Sequence, residues 1–193
     1  MSQFEFVQIT FAIILGLGVT TILNGLGEQL RRRHTHQLFY LQVASSLLLL
    51  LVHLAWLWGF WQTRQTEWQF GLFLAYAIPS VCLALAANVS RIDCSASSES
   101  SRDQYFRNAP VLYGLWSGAE LIGILLGLHY ASGLEDLDQS GLVIFSVVRL
   151  AGAALTLSLG FVRKITFQWL TLGLLSCQIA AVVLAFITDL SGS

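Results

Sequence analysis

Six apolar stretches, each about the length of a bilayer crossing, occupy most of this 193-residue chain. A transmembrane helix needs about 20 consecutive apolar residues, because each residue advances the helix by 1.5 Å. Only 11% of the residues are charged, whereas soluble domains contain roughly 25%. Such a small number of charges cannot cover a surface that faces water. The sequence therefore predicts a multi-pass protein whose principal partner is the lipid bilayer.

The fold class predicted from these stretches is all-α, a single transmembrane domain over residues 1–193. A backbone that crosses lipid must satisfy its hydrogen bonds internally, which excludes isolated strands. The first stretch is expected to be a retained helix and not a signal peptide, because residues 1–10 contain no Lys or Arg. The six predicted helices comprise residues 4–26, 38–62, 68–90, 111–130, 142–161 and 168–189.

Basic residues predict the orientation of the bundle. Loops one, three and five contain eight Lys or Arg residues, whereas the opposite side contains Arg64 alone. Because cytoplasmic loops are enriched in Lys and Arg, both termini are expected on the outer side of the membrane. Arg31, Arg32 and Arg33 form a basic cytoplasmic loop that is expected to contact anionic lipid headgroups. Ten basic and eleven acidic residues nearly balance, which gives no reason to expect a nucleic-acid partner.

Four polar residues lie deep within the predicted helices, roughly 10–17 Å below the outer surface: His53, Glu120, Arg149 and Gln178. Ionisable groups are costly in lipid, so they normally turn inward and find partners. Helices four and five are joined by a short loop and should be antiparallel neighbours. We therefore predict a Glu120–Arg149 ion pair, with His53 and Gln178 as further partners.

Three roles remain open for this polar cluster: a structural clamp, a proton or ion relay, and an anionic-ligand site centred on the guanidinium. No cofactor or metal is predicted. His53 is deep and His129 lies at the outer edge, so the two cannot ligate one haem. The three cysteines also fail the ligand spacing of zinc sites.

Four tryptophans gather near the outer ends of helices two and three: Trp56, Trp58, Trp61 and Trp68. Such rings favour the headgroup level of a bilayer, which predicts an aromatic belt that anchors the protein. The alternative is a stacking surface for a lipid, a quinone or an aromatic ligand.

Small residues recur at four-residue spacing on helix four, in the pairs Gly114 with Gly118 and Gly123 with Gly127. This spacing lets helix backbones approach closely and predicts a central helix four. Residues 91–109 form the longest predicted loop, in which residues 105–106 would dock as a short interfacial helix.

Several segments resemble a family of small six-helix bacterial inner-membrane proteins that have no assigned activity. The segments are residues 15–18 and 23–26, the tryptophan-rich residues 56–62 and 68–70, and residues 103–108. The resemblance covers about half the chain. It implies a multi-pass protein of a bacterial inner membrane, whose outer side would then be periplasmic, and it transfers no catalytic residue.

The expected function is a small transporter or channel-like bundle in which the polar cluster forms the pathway. The alternative is a membrane sensor or assembly partner without transport activity, and association with further copies of the chain is left open. An intramembrane enzyme is not expected, because the spans contain neither HExxH nor GxSxG and no catalytic residue can be named.

Overall fold

The computed structural model describes residues 3–31, 39–61, 70–91, 100–131 and 139–191, and side chains within most of these ranges. These residues form six α-helices and no strands, which confirms the all-α prediction. The helices are α1 (Gln3–Arg31), α2 (Tyr40–Trp61), α3 (Phe70–Val89), α4 (Ser101–Ala131), α5 (Gln139–Phe161) and α6 (Ile165–Ser191).

The helices surround a shared interior. α4 packs most extensively on α5 and next on α3; α1 contacts α3 and α2, and α6 contacts α5 and α2. The α4–α5 pair is antiparallel: Ser117 Oγ donates to the Ala153 carbonyl at 3.0 Å, and Gly160 packs against Pro110. The predicted neighbourhood of helices four and five is therefore present in the structure.

The outward surface of the bundle is apolar on every helix. Large aliphatic side chains with half or more of their surface exposed occur on all six: Leu17, Leu51, Ile78, Leu125, Val147 and Leu170. Exposed apolar side chains on every helix are typical of contact with lipid and not with water. By length and hydropathy, α1, α2, α3 and α4 could each cross a membrane; the described apolar parts of α5 and α6, Ser146–Phe161 and Ile165–Ala180, are shorter.

α4 begins ten residues earlier than the sequence predicted. Its start is fixed at Ser100, whose Oγ accepts a hydrogen bond from the Asp103 N–H at 3.2 Å, the arrangement of an N-cap. Tyr105 and Phe106 are 3% and 7% exposed and belong to the first turns of α4. The prediction of a loop up to residue 109 with a separate interfacial helix was wrong, because the cap and the buried aromatic rings extend the helix.

The prediction that the glycines of helix four mediate close helix contacts is correct for Gly123 and wrong for Gly114 and Gly118. A Cβ added at Gly114 or Gly118 would meet no atom within 4 Å, so this pair does not mediate close packing among the described residues. The close approach of α4 and α5 depends instead on Gly160, where an added Cβ would lie 3.1 Å from Pro110 Cα. Gly123 does mediate a contact, with the Trp56 ring of α2, and the surroundings of Gly127 lie outside the described side chains.

Candidate functional site

A cavity of about 220 Å³ lies between α2, α3, α4, α5 and α6. It occupies the half of the bundle that contains the end of α2 and the start of α3, here called the outer half because the sequence predicts it on the periplasmic side. Side chains from all five helices line it, among them Trp56, Tyr76, Glu120, Arg149 and Gln178. The cavity therefore brings three of the four predicted polar residues to one place.

Glu120 of α4 and Arg149 of α5 form an ion pair at the wall of this cavity, between Oε2 and Nη2. The two side chains retain 17% and 22% of their exposure, so the pair is largely enclosed but still reached from the cavity. Gly123, almost one turn after Glu120 on α4, has no side chain and so leaves room for the Trp56 ring and the Arg149 guanidinium. A Cβ at that position would lie 3.0 Å from the Trp56 ring and 3.6 Å from Arg149 Nη2.

Gln178 of α6 contributes an amide to the same cavity. Its Nε2 donates to the Val148 carbonyl at 3.2 Å, so within the described residues its hydrogen bond is to the α5 backbone and not to the ion pair. The amide fits against Gly152, where an added Cβ would lie 2.3 Å from Gln178 Oε1. Gln178 is thus a neighbour of the ion pair but not its hydrogen-bond partner.

His53, the fourth residue of the predicted polar cluster, does not line the cavity. The ring is fully buried on the other side of α2, where Nδ1 contacts the Leu49 carbonyl at 2.8 Å. Nε2 faces Gly18 of α1 and makes no hydrogen bond of normal geometry within the described part of the chain. Val52, one position earlier, lines the cavity instead. One helical residue corresponds to a rotation of about 100°, which turns His53 away.

The described tryptophans of the predicted belt face two different environments. Trp56 lines the cavity and meets Tyr76 edge to face, with ring centroids 6.3 Å apart. Trp58 points outward and is 46% exposed, as expected of an anchoring side chain. The side chain of Trp61 and the whole of Trp68 lie outside the described residues.

Aromatic rings also close the inner end of the cavity. Trp116 lines it and is only 2% exposed. Directly beneath, towards the start of α4, the Tyr113 ring stacks on Trp116 with centroids 6.1 Å apart and is fully buried. The cavity therefore ends on a packed aromatic layer.

A buried hydrogen-bond network that sequence reasoning missed fills the inner half of the bundle. Tyr105 and Tyr113 join through their hydroxyls at 2.7 Å, and Tyr105 donates to Gln168 Oε1 at 2.8 Å. Gln168 Nε2 donates to the carbonyls of Leu159 and Val162, each at 2.7 Å. The network ties the start of α6 to α4 and α5. The eight-residue spacing of the two tyrosines, which places them on one helix face, was the available signal.

Of the predicted basic loop, the structure describes only the first residue, Arg31. Arg31 ends α1 and pairs with Glu28 on the same helix, while Arg32 and Arg33 lie outside the described residues. Among the residues that the structure describes, no group of three or more His, Cys, Asp or Glu side chains could hold a metal ion.

Comparisons with protein-family models, with curated proteins and with solved structures give no match to this chain. The resemblance to small six-helix inner-membrane proteins therefore stays a prediction.

Proposed function

We propose that this protein is a small six-crossing membrane transporter that binds its substrate in the outer-half cavity and uses Glu120 as a proton acceptor. The observation that carries the proposal is a half-enclosed cavity with an ion pair in its wall. A purely structural clamp would need no space beside it, because its stability depends on the geometry of the pair and on hydrogen bonds that satisfy its remaining polar atoms. An ionisable pair that faces a cavity is the usual arrangement of a transport pathway.

The asymmetry of the bundle supports the same proposal. Transport by alternating access requires a site near the middle of the membrane that is reached from one side while the other side is sealed. Here the cavity lies in the outer half, and Tyr113 together with the Tyr105–Gln168 hydrogen bond fills the inner half. This arrangement fits an outward-facing state of a transporter.

The walls of the cavity indicate the kind of substrate. Trp56, Phe60, Tyr76 and Trp116 supply aromatic surface, and the ion pair, Gln178 and Thr156 supply polar groups. Sites of this composition bind small molecules with an apolar body and one or two polar groups. We therefore expect an amphipathic substrate whose polar group competes for Glu120 or Arg149.

The location also belongs to the proposal. Six crossings with both termini outside, in a bacterial inner membrane, are supported by the apolar outer surface and by the concentration of basic residues in loops one, three and five. The anionic headgroups of the cytoplasmic leaflet would then lie next to those loops.

The test is proton flux in liposomes that contain the purified full-length protein and an internal pH-sensitive dye. We expect an imposed pH gradient to dissipate faster than in empty liposomes, and Glu120→Gln to abolish the difference. Glu28→Gln is the matched control, because it removes a carboxylate that pairs with the exposed Arg31. No flux under proton, sodium or potassium gradients would refute the role of Glu120 as a proton acceptor in transport and favour the alternative, a membrane sensor or assembly partner.

A further inference from the structure

The size of the outer-half cavity limits what can fill it. Its volume is about 220 Å³, whereas an apolar cavity of about 150 Å³ engineered into another protein binds one molecule of benzene. The cavity is therefore roughly half as large again as one that holds a single aromatic ring. This enclosed space fits a body of two fused rings.

Three helices present aromatic surface to such a body. Trp56 of α2 and Tyr76 of α3 are each only partly buried and line the cavity, with their ring centroids 6.3 Å apart and their planes edge to face. Trp116 of α4 lines its inner end. Aromatic rings attract one another in offset-stacked and edge-to-face arrangements, beyond the effect of apolar burial alone. The cavity therefore suits a flat aromatic body better than an aliphatic chain.

The amide of Gln178 supplies a hydrogen-bond acceptor beside these rings. Its Nε2 donates to the Val148 carbonyl at 3.2 Å, which holds the amide in place, while Oε1 accepts no hydrogen bond within the described part of the chain. Gly152 leaves the space that the amide occupies, because an added Cβ would lie 2.3 Å from Oε1. A ligand that fills the cavity shields Oε1 from water, and a shielded acceptor without a donor costs free energy. The ligand should therefore have an N–H or O–H group next to its rings.

We propose that the transported substrate is a compact molecule of two fused aromatic rings with an N–H or O–H donor that binds to Gln178 Oε1. This inference rests on the proposed function, because it takes the cavity as the substrate site. The Glu120–Arg149 pair lines the same cavity, so a second polar group on the rings can compete for it. Indole has the rings and the donor but no second polar group, and it therefore tests the ring site and its acceptor alone.

The experiment compares indole with benzofuran, which has the same shape but no donor, and with pyrrole, which has the same donor on a single ring. Each is titrated into nanodiscs that contain the purified full-length protein, with protein-free nanodiscs as the blank, and ligand-observed NMR reports binding. We expect benzofuran to bind about fivefold more weakly than indole, the effect of losing one neutral hydrogen bond. Pyrrole should bind more weakly by about tenfold or more, because it buries less apolar surface.

Two variants test whether binding occurs in the cavity. Gln178→Leu should weaken indole binding about fivefold without weakening that of benzofuran, which needs no acceptor. Gly59→Leu should weaken both by about tenfold or more, because Gly59 lines the cavity and a side chain there would occupy part of its volume. Gly114→Leu is the matched control: a Cβ at either glycine meets no atom within 4 Å, but Gly114 does not line the cavity.

The results separate this inference from the transport proposal. Equal weakening of indole and benzofuran by Gln178→Leu would overturn the role of the donor, and equal affinities for pyrrole and indole would overturn the two-ring size. If indole does not bind while the protein still dissipates a pH gradient, this inference is wrong and transport stands. Indole binding without any flux would support the ligand class and refute the transport role of Glu120.

Discussion

Removing the charge of either Glu120 or Arg149 alone should leave its partner unpaired and destabilise the protein. Removing both charges together should cost less than the two single changes added together. The pair joins α4 to α5, and its side chains are only 17% and 22% exposed. Removing one partner of a fully buried pair leaves an uncompensated charge and costs about 3–5 kcal/mol. Because the cavity leaves each group partly exposed, we expect the lower limit, about 3 kcal/mol, for Glu120→Gln or Arg149→Gln.

The double variant Glu120→Gln with Arg149→Gln removes the unpaired charge along with the ion pair. It should therefore be more stable than the sum of the single variants predicts, with a coupling energy of about 1–3 kcal/mol. The assay is reversible unfolding in mixed micelles with increasing denaturing detergent, followed by tryptophan fluorescence and circular dichroism. All four proteins of the cycle are measured under the same conditions.

The surface pair between Glu28 and Arg31 provides the control cycle. Its arginine is 74% exposed, so its coupling should be about 0–1 kcal/mol. A coupling energy for Glu120 and Arg149 below about 0.5 kcal/mol, the usual error of additivity, would refute the reasoning. The two charges would then be solvated independently within the cavity, and neither would hold α4 against α5.

Two further changes test the packing of the bundle, each by its melting temperature in detergent. Gly18→Ala should lower the melting temperature, because the new Cβ would lie 2.4 Å from His53 Nε2, while Gly16→Ala, with no atom within 4 Å, should leave it unchanged or raise it. Equal effects would contradict this interpretation. Tyr105→Phe should cost about 1–3 kcal/mol, because it leaves the buried Gln168 Oε1 without its donor; an unchanged stability would show that water replaces the hydroxyl.

The pairing of Glu120 with Arg149 was predictable from their positions along the helices, but the direction in which polar residues face was not. Depth depends only on the residue count along a helix, and the counts for Glu120 and Arg149 predicted partners at one level. Direction depends on how each helix is rotated in the bundle. The apolar helix α2 gives no amphipathic signal for that rotation, so His53 was assigned to the cluster although the structure turns it towards α1.

The length of α4 illustrates a second limit of prediction from the sequence. Hydropathy marks the part of a helix that lies in lipid, and residues 101–110 contain too many polar side chains to register as a span of their own. The burial of Tyr105 depends on a tertiary contact with α6, which no local pattern reports. The Ser100 cap is local, and the spacing of Ser100 and Asp103 was an available signal for it. The spacing of small residues was also an incomplete predictor of helix contacts. It indicates which helices can approach closely, but not which of their glycines contact a neighbouring helix.

The neutrality of the Glu120–Arg149 pair has a consequence for the proposed transport cycle in an energised membrane. Moving one elementary charge across the whole bilayer changes the energy by about 2.3 kcal/mol per 100 mV. A rearrangement that carries the carboxylate and the guanidinium together displaces opposite charges equally and does no net electrical work. Uptake of an uncharged substrate without a proton should therefore run at the same rate at any membrane voltage, and voltage dependence should arise only when a proton or a charged substrate separates the pair.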